Sequence, residues 1–133
     1  MIDLRYTEDG GVLVTAEGTL TGRELIASKD TLYASEEKIR SIAYQLADFR
    51  KVTEVSFSST TVRCIAEKDK QAAQVNPDMV IAVVGGDDLH YGLSRMWEEY
   101  CGESAVRAMI CRSMAEARQW IRDQLTPEND AAL

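Results

Sequence analysis

Residues 79–84, with the sequence MVIAVV, constrain the fold of this chain more than any other segment. All six are apolar and most are β-branched, so both faces of an extended strand at this place are hydrophobic. Such a strand is covered on both sides or lies deep in a sheet. Because a bilayer-spanning helix needs about 20 apolar residues, so short a run predicts a buried strand and not a membrane span.

The segments around this strand alternate between strand and helix patterns. Two strand-like segments, 2–6 and 11–18, flank the turn-rich TEDGG and predict a β-hairpin. Helical spacing of apolar residues predicts helices at 19–35, 60–75, 87–101 and 113–125. Further strands are expected at 38–48 and 104–111, and a loop at 49–60. The resulting order, β-β-α-β-α-β-α-β-α, predicts a single α/β domain with a mixed β-sheet and about four helices.

Length and charge limit the classes of function. The 133 residues suit one domain, predicted over 1–125, with a flexible C-terminal tail at 126–133. A formal net charge of -7, with no face that concentrates basic residues, argues against a nucleic-acid partner. The N-terminus lacks the basic and apolar regions of a signal peptide, and the cysteine usage suits a reducing compartment, most simply the cytoplasm.

The cysteines and the histidine form no metal-site pattern. Cys64, Cys101 and Cys111 have no C-x-x-C spacing and His90 is the sole histidine, so the sequence predicts no metal and no cofactor. Cys64 and Cys111 fall inside apolar patterns and are predicted to be small core residues. Cys101 lies at a helix end, where we expect it to be more exposed.

The glycine and aspartate stretch GGDDLH at 85–90 has two interpretations. A phosphate loop needs glycines at wider spacing and a helix start free of acids, whereas Asp87 and Asp88 lie where the anion would bind. Two carboxylates at a helix start instead cap free N–H groups and complement the helix dipole, and we favour this interpretation. His90 could act as a general base with Asp87 as its partner, but no nucleophile lies nearby in the sequence, so no catalytic residue is predicted.

Two exposed sets of side chains are candidate contact sites. On the helix at 87–101, His90, Tyr91 and Arg95 fall at the edge or on the far side of the apolar stripe and form a candidate contact face. The second set lies in VSFSSTTVR, residues 55–63, where a loop meets a helix. One hydroxyl there is expected to cap the helix, and the position also suits a phosphorylation switch with Arg63 as a charge partner. The residues of this loop and helix start are Ser56, Ser58, Ser59 and Arg63.

The chain resembles the SpoIIAA-like group of the STAS superfamily, the anti-sigma factor antagonist fold, which is sometimes grouped with SEC14-type domains. The resemblance lies in YQLADFRKVTEVS, VIAVVGGDDLHYGLSRMWEEY and AVRAMICRSMAEARQWI, and it covers nearly the whole chain in element order. It implies a small sheet with helices and no cofactor, which acts by binding a partner. In well-known members a kinase phosphorylates a serine in a D-S-x-G-like turn before a helix. That turn corresponds here to Ser56, Ser58 and Ser59, although no Asp directly precedes these serines and no Gly follows them.

Three hypotheses of function follow. The first is a non-enzymatic regulatory module that contacts a protein partner near residues 56–63. The second is a carrier of a lipid-like or other apolar small ligand, held between helices and sheet. The third is an enzyme that uses His90 with Asp87 or Asp88. A homodimer is compatible with all three.

Overall fold

The computed structural model describes residues 1–85 and 87–126, with Leu89 described by its backbone alone. Ten elements follow one another along the chain. The strands are β1 (Ile2–Tyr6), β2 (Gly11–Thr21), β3 (Tyr44–Ser56), β4 (Val80–Val84) and β5 (Arg107–Cys111). The helices are α1 (Gly22–Leu32), α2 (Glu36–Ser41), α3 (Ser59–Val75), α4 (Asp88–Cys101) and α5 (Met114–Leu125).

The strands form one five-stranded sheet in the order β1-β2-β3-β4-β5. β1 pairs antiparallel with β2, which confirms the predicted hairpin, and all the later neighbours pair in parallel. Parallel neighbours need crossover connections, and the helices between successive strands provide them. The carboxyl ends of β2, β3 and β4 therefore meet at one edge of the sheet, where α1, α3 and α4 begin. A mixed sheet in a single α/β domain was the prediction, and it is confirmed.

Helices cover both faces of the sheet, as the sequence of β4 requires. Side chains of β4 alternate between two apolar clusters: Ile81 and Val83 pack with residues of α1, α3 and α4, whereas Val80, Ala82 and Val84 pack with α5. All five residues of the strand are buried. The helices α1, α3 and α4 thus form one layer, and α5 forms the other.

The region between α1 and α3 differs from the prediction. The expected strand at 38–48 begins only at Tyr44, because residues 36–41 form α2, whose start is capped by the Ser35 hydroxyl. The expected loop at 49–60 is wrong as well, because β3 continues in parallel pairing with β2 as far as Ser56. The helices number five in the described residues, one more than expected. The proposed tail at 126–133 lies outside the described residues, apart from Thr126.

Candidate functional site

The serines predicted as a contact loop lie at the end of β3 and the start of α3. Ser56 is the last residue of the strand, Ser58 is the N-cap of α3, and Ser59 is the first residue of that helix. All three are exposed. Arg63 lies one turn after Ser59 on the same side of α3, and its guanidinium is 5.0 Å from the centre of the Tyr100 ring. The structure therefore brings the four residues together on one accessible end of α3.

The Ser58 hydroxyl makes no capping hydrogen bond. Each of the other four helices has one: the N-cap side chains of Thr21, Ser35, Asp87 and Ser113 each accept from a backbone N–H in the first turn. α3 also has no acidic residue in its first turn, whereas each of the others has at least one. The expectation that a hydroxyl caps this helix is therefore wrong for Ser58. The start of α3 keeps its N–H groups and positive dipole end without a side-chain counterpart.

The first residue of α1 packs against this end of α3. A Cβ added to Gly22 would lie 2.9 Å from Thr61 Oγ1 and 3.2 Å from the Cβ of Phe57. Only glycine permits so close an approach without a shift of its neighbours. The starts of α1 and α3 therefore lie side by side at the carboxyl edge of the sheet.

The start of α4 is capped as the sequence predicts. Asp87 accepts a hydrogen bond from the backbone N–H of His90 over 2.9 Å. Asp88, in the first turn, accepts from Arg112 over 3.1 Å. Gly85 packs closely on the backbone of Tyr91, and Gly86 lies outside the described residues. The carboxylates occupy the place that a phosphate would need, so capping is the role that the geometry supports.

His90, Tyr91 and Arg95 do not form one face, which corrects the prediction. The side chain of His90 is only 4% exposed, whereas that of Arg95 is 58% exposed. Arg95 Nε lies 3.7 Å from Glu98 Oε1. Tyr91 is half-buried, with the Arg112 guanidinium 4.1 Å from its ring centre. The physical reason is the orientation of α4 about its own axis. The residues that it buries lie three or four positions apart: His90, Ser94, Trp97 and Cys101. The apolar spacing predicts a different stripe, of which Trp97 is buried and three members are half-buried: Leu93, Met96 and Tyr100. The side chain of its first member, Leu89, lies outside the described residues.

A buried polar network joins the helical layer to the sheet. The fully buried carboxylate of Asp69 accepts from Tyr33 Oη over 2.6 Å and from Trp97 Nε1 over 2.8 Å. Its third partner is the Lys29 ammonium at 2.9 Å. Lys29 also donates to the side-chain oxygen of Gln45 over 2.9 Å, and the Gln45 amide donates to Tyr33 over 2.6 Å. α1, β3, α3 and α4 are thus connected through one carboxylate.

The network changes the acidity of its neighbours. Burial, followed by the charge of Asp69, raises the pKa of the Tyr33 phenol well above its usual range. The same two causes raise the pKa of the Cys101 thiol to about 12. Both groups are therefore neutral, and Tyr33 remains a hydrogen-bond donor at physiological pH.

The sequence does not single out Asp69, because it lies among the charged residues Glu67, Lys68 and Lys70. The spacing did contain the signal. Asp69 is in phase with the buried residues of that helix, which are Val62, Ile65, Ala66, Ala72 and Ala73. Only the packing of α1 and α4 beside α3 shows that the carboxylate has partners there.

A cavity of about 90 Å³ lies beside the network, between the sheet and the helices α1, α3 and α4. Twelve of its sixteen lining residues are apolar, and the other four are Lys29, Asp69, His90 and Ser94. Both ring nitrogens of His90 are buried without an aligned hydrogen bond. Asp87 Oδ1 does lie 2.8 Å from Nδ1, within ion-pair distance, but the same oxygen already accepts the backbone N–H of His90.

The cysteines differ from expectation in two of three cases. Cys101, expected to be more exposed, is buried against α3, whereas Cys64, expected in the core, is half-buried. Cys111 is buried as predicted, and burial raises the pKa of its thiol. Among the described residues, no cluster of His, Cys, Asp and Glu side chains has the arrangement of a metal site.

Comparison with protein-family models and with curated protein sequences gives no match. Among solved structures, the chain is similar to the anti-sigma factor antagonist SpoIIAA in its unphosphorylated form, with a TM-score of 0.64 at 10% identity. The alignment covers 92% of this chain and 97% of SpoIIAA. The two proteins therefore share a fold, as the sequence resemblance implied. None of the helices in the described part of the chain is long and apolar enough to cross a bilayer.

Proposed function

We propose that this protein is a non-enzymatic regulatory module that docks a protein partner at the start of α3. The observation that carries this proposal is the shared fold with SpoIIAA over almost the whole of both chains. SpoIIAA is described as an anti-sigma factor antagonist, a protein that acts on another protein, and we extend that kind of role to this chain. The partner is a protein. This chain contacts it through the surface formed by Ser56, Ser58, Ser59 and Arg63.

The local chemistry at this surface supports control by a phosphoryl group. Ser58 is exposed and its hydroxyl is not used as a cap, so a kinase can reach it without breaking a hydrogen bond of the fold. A phosphoryl group there would face the free N–H groups and positive dipole end of α3. Arg63 supplies a positive charge one turn further on. Addition of the phosphoryl group would alter the charge of the docking surface and leave the core in place.

Photo-crosslinking in cells of the source organism tests the proposal. A photoreactive residue is placed at Ser58, and a matched one at Ser113, an N-cap on the opposite layer. We expect one protein to crosslink at position 58 only and to be displaced by excess unlabelled chain. Calorimetry with the purified partner should then show weaker binding for Ser58→Asp and for Arg63→Glu but unchanged binding for Ser113→Asp.

Two results would contradict the proposal. The first is an identical set of crosslinked proteins from positions 58 and 113, which would indicate nonspecific contact. The second is a partner whose affinity is unaffected by both Ser58→Asp and Arg63→Glu. Turnover of a substrate that disappears in His90→Ala would instead favour the enzyme hypothesis.

A further inference from the structure

We propose that the cavity beside the Asp69 network binds a small neutral amphiphile: one aromatic ring or a short alkyl chain that carries a single hydroxyl group. The cavity shares no residue with the contact surface at the start of α3, although Phe57 and Val62 line it and are sequence neighbours of that surface. The proposal does not depend on a protein partner. It depends on three features of the cavity, namely its apolar wall, the buried imidazole of His90, whose Nε2 has no polar partner, and the balance of charge in its lining.

The wall suits an apolar body of limited size. Side chains from the sheet, such as Leu20, Phe49 and Val83, face Val62 and Ile65 of α3 across the cavity. Its volume of about 90 Å³ is of the same order as the engineered apolar cavity of about 150 Å³ that binds benzene. A single ring or a short chain is therefore the largest apolar body that the cavity can hold, and a long acyl chain does not fit.

His90 supplies the polar contact. A buried imidazole without hydrogen bonds is unfavourable, because both nitrogens have lost their water. The Asp87 carboxylate beside Nδ1 favours the tautomer with its proton on that nitrogen. Nε2 then has a lone pair without a donor, but it is closed to a water-sized group in this structure, so the His90 ring must turn towards the cavity when the ligand binds. A hydroxyl group on the ligand provides the donor, and Ser94, one turn after His90, lines the cavity next to it.

The charges in the lining favour a neutral ligand over an ion. Lys29 and Asp69 are the charged lining residues, and they pair with each other at 2.9 Å. Their remaining hydrogen bonds go to Gln45, Tyr33 and Trp97. No unmatched charge is left to offset the desolvation of an ionic ligand. A carboxylate or an ammonium should therefore bind more weakly than a hydroxyl compound of the same shape.

Three probes of similar shape test the proposal with the full chain: p-cresol, 4-methylanisole and p-toluate. The first donates a hydrogen bond, the second only accepts one, and the third is an anion. Because His90 is the sole histidine, its imidazole NMR signals need no assignment. Trp97 lines the cavity, so its fluorescence in a Trp120→Phe background reports binding independently.

We expect p-cresol to shift the His90 signals and to bind about five- to tenfold more tightly than 4-methylanisole, the factor typical of one neutral hydrogen bond. p-Toluate should bind most weakly. His90→Leu should bring the affinities for p-cresol and 4-methylanisole to within about twofold of each other. Ala47→Leu, which adds volume at the cavity wall and leaves His90 in place, should weaken all three.

Several outcomes would overturn the proposal. They are the absence of binding for all three probes at millimolar concentration, equal affinity for p-cresol and 4-methylanisole in the unaltered protein, and unchanged binding in folded Ala47→Leu. If His90→Leu fails to fold, the proposal is still tested by the shifts that p-cresol and 4-methylanisole each cause in the His90 imidazole signals. This comparison uses the unaltered protein. A shift of those signals by both compounds alike would then count against a hydrogen bond to Nε2.

Discussion

The indole N–H of Trp97 donates to Asp69 Oδ2 over 2.8 Å, and this bond joins α4 to α3 inside the core. Asp69 is fully buried, so its charge is tolerated only because Lys29, Tyr33 and Trp97 all contact it. The helical layer is therefore held by directional bonds in addition to apolar packing. The first two predictions below test these bonds by replacing Trp97 and Asp69.

Trp97→Phe removes one donor to Asp69 and part of the packing. We expect a loss of about 2–4 kcal/mol in the free energy of unfolding, measured by urea denaturation. The matched control is Trp120→Phe, the same change at a partly buried residue of α5, on the other face of the sheet. An equal loss in the two variants would show that the hydrogen bond to Asp69 adds nothing.

Asp69→Ala leaves the ammonium of Lys29 in a buried position without its counter-charge. We expect a loss of about 3–5 kcal/mol in the free energy of unfolding. The double variant Asp69→Leu with Lys29→Met should recover a large part of this loss, because it removes both charges. Asp30→Asn breaks the exposed pair with Lys68 and should cost no more than about 1 kcal/mol.

Ser58→Ala and Ser113→Ala should differ although both are helix N-caps. Ser113 accepts from the backbone N–H of Glu116 over 3.2 Å, so its replacement should cost about 1 kcal/mol. Ser58 makes no such bond, and Ser58→Ala should change the free energy of unfolding by less than about 0.5 kcal/mol. Thermal and urea denaturation of the two variants measure the difference. A cost at Ser58 equal to that at Ser113 would indicate that its hydroxyl caps α3 in solution.

The three thiols should react in a fixed order with a disulfide reagent at about pH 8, near the usual thiol pKa. Cys64 is half-buried and should react first. Cys101 and Cys111 are buried, and both have a raised thiol pKa, so they should react only as the protein unfolds. Peptide mass spectrometry after timed quenching identifies the thiols. The Cys64→Ser variant should lose the fast phase and nothing else.

Alkaline pH should destabilise the protein through Cys101. Its thiol pKa is about 12 in the folded protein against 9.0 for the unperturbed group. The neutral thiol is thus favoured by folding, so this stabilisation is complete below pH 9 and is lost as the pH rises towards 12. Near pH 10.5 the loss should be about 2 kcal/mol, visible in urea midpoints. Cys101→Ala should show a smaller decrease between neutral and alkaline pH.

The starts of the helices show which features can be predicted from a few neighbouring residues. Asp87 caps its helix as predicted, and Thr21 and Ser113 cap theirs in the same way, because a cap bond spans only three residues and needs nothing distant. Ser58 has the right residue type and still makes no cap bond. The same limit applies to β3: its second half, 49–56, has no strong strand pattern and is extended because β2 pairs with it.

The sequence by itself determined the alternation of strands and helices, the buried strand β4 and the two-sided cover that this strand needs. Periodicity within a short segment is enough to decide those features. The spacing in α3 already put Asp69 in phase with the buried residues of that helix, but only tertiary structure decided which partners Asp69 meets and that His90 faces inward. The environment of a polar side chain depends on which helix packs beside it, and α4 meets α3 only after the sheet has brought both to one face. For that reason, neither the network nor the cavity could be predicted from the periodicity of a single segment.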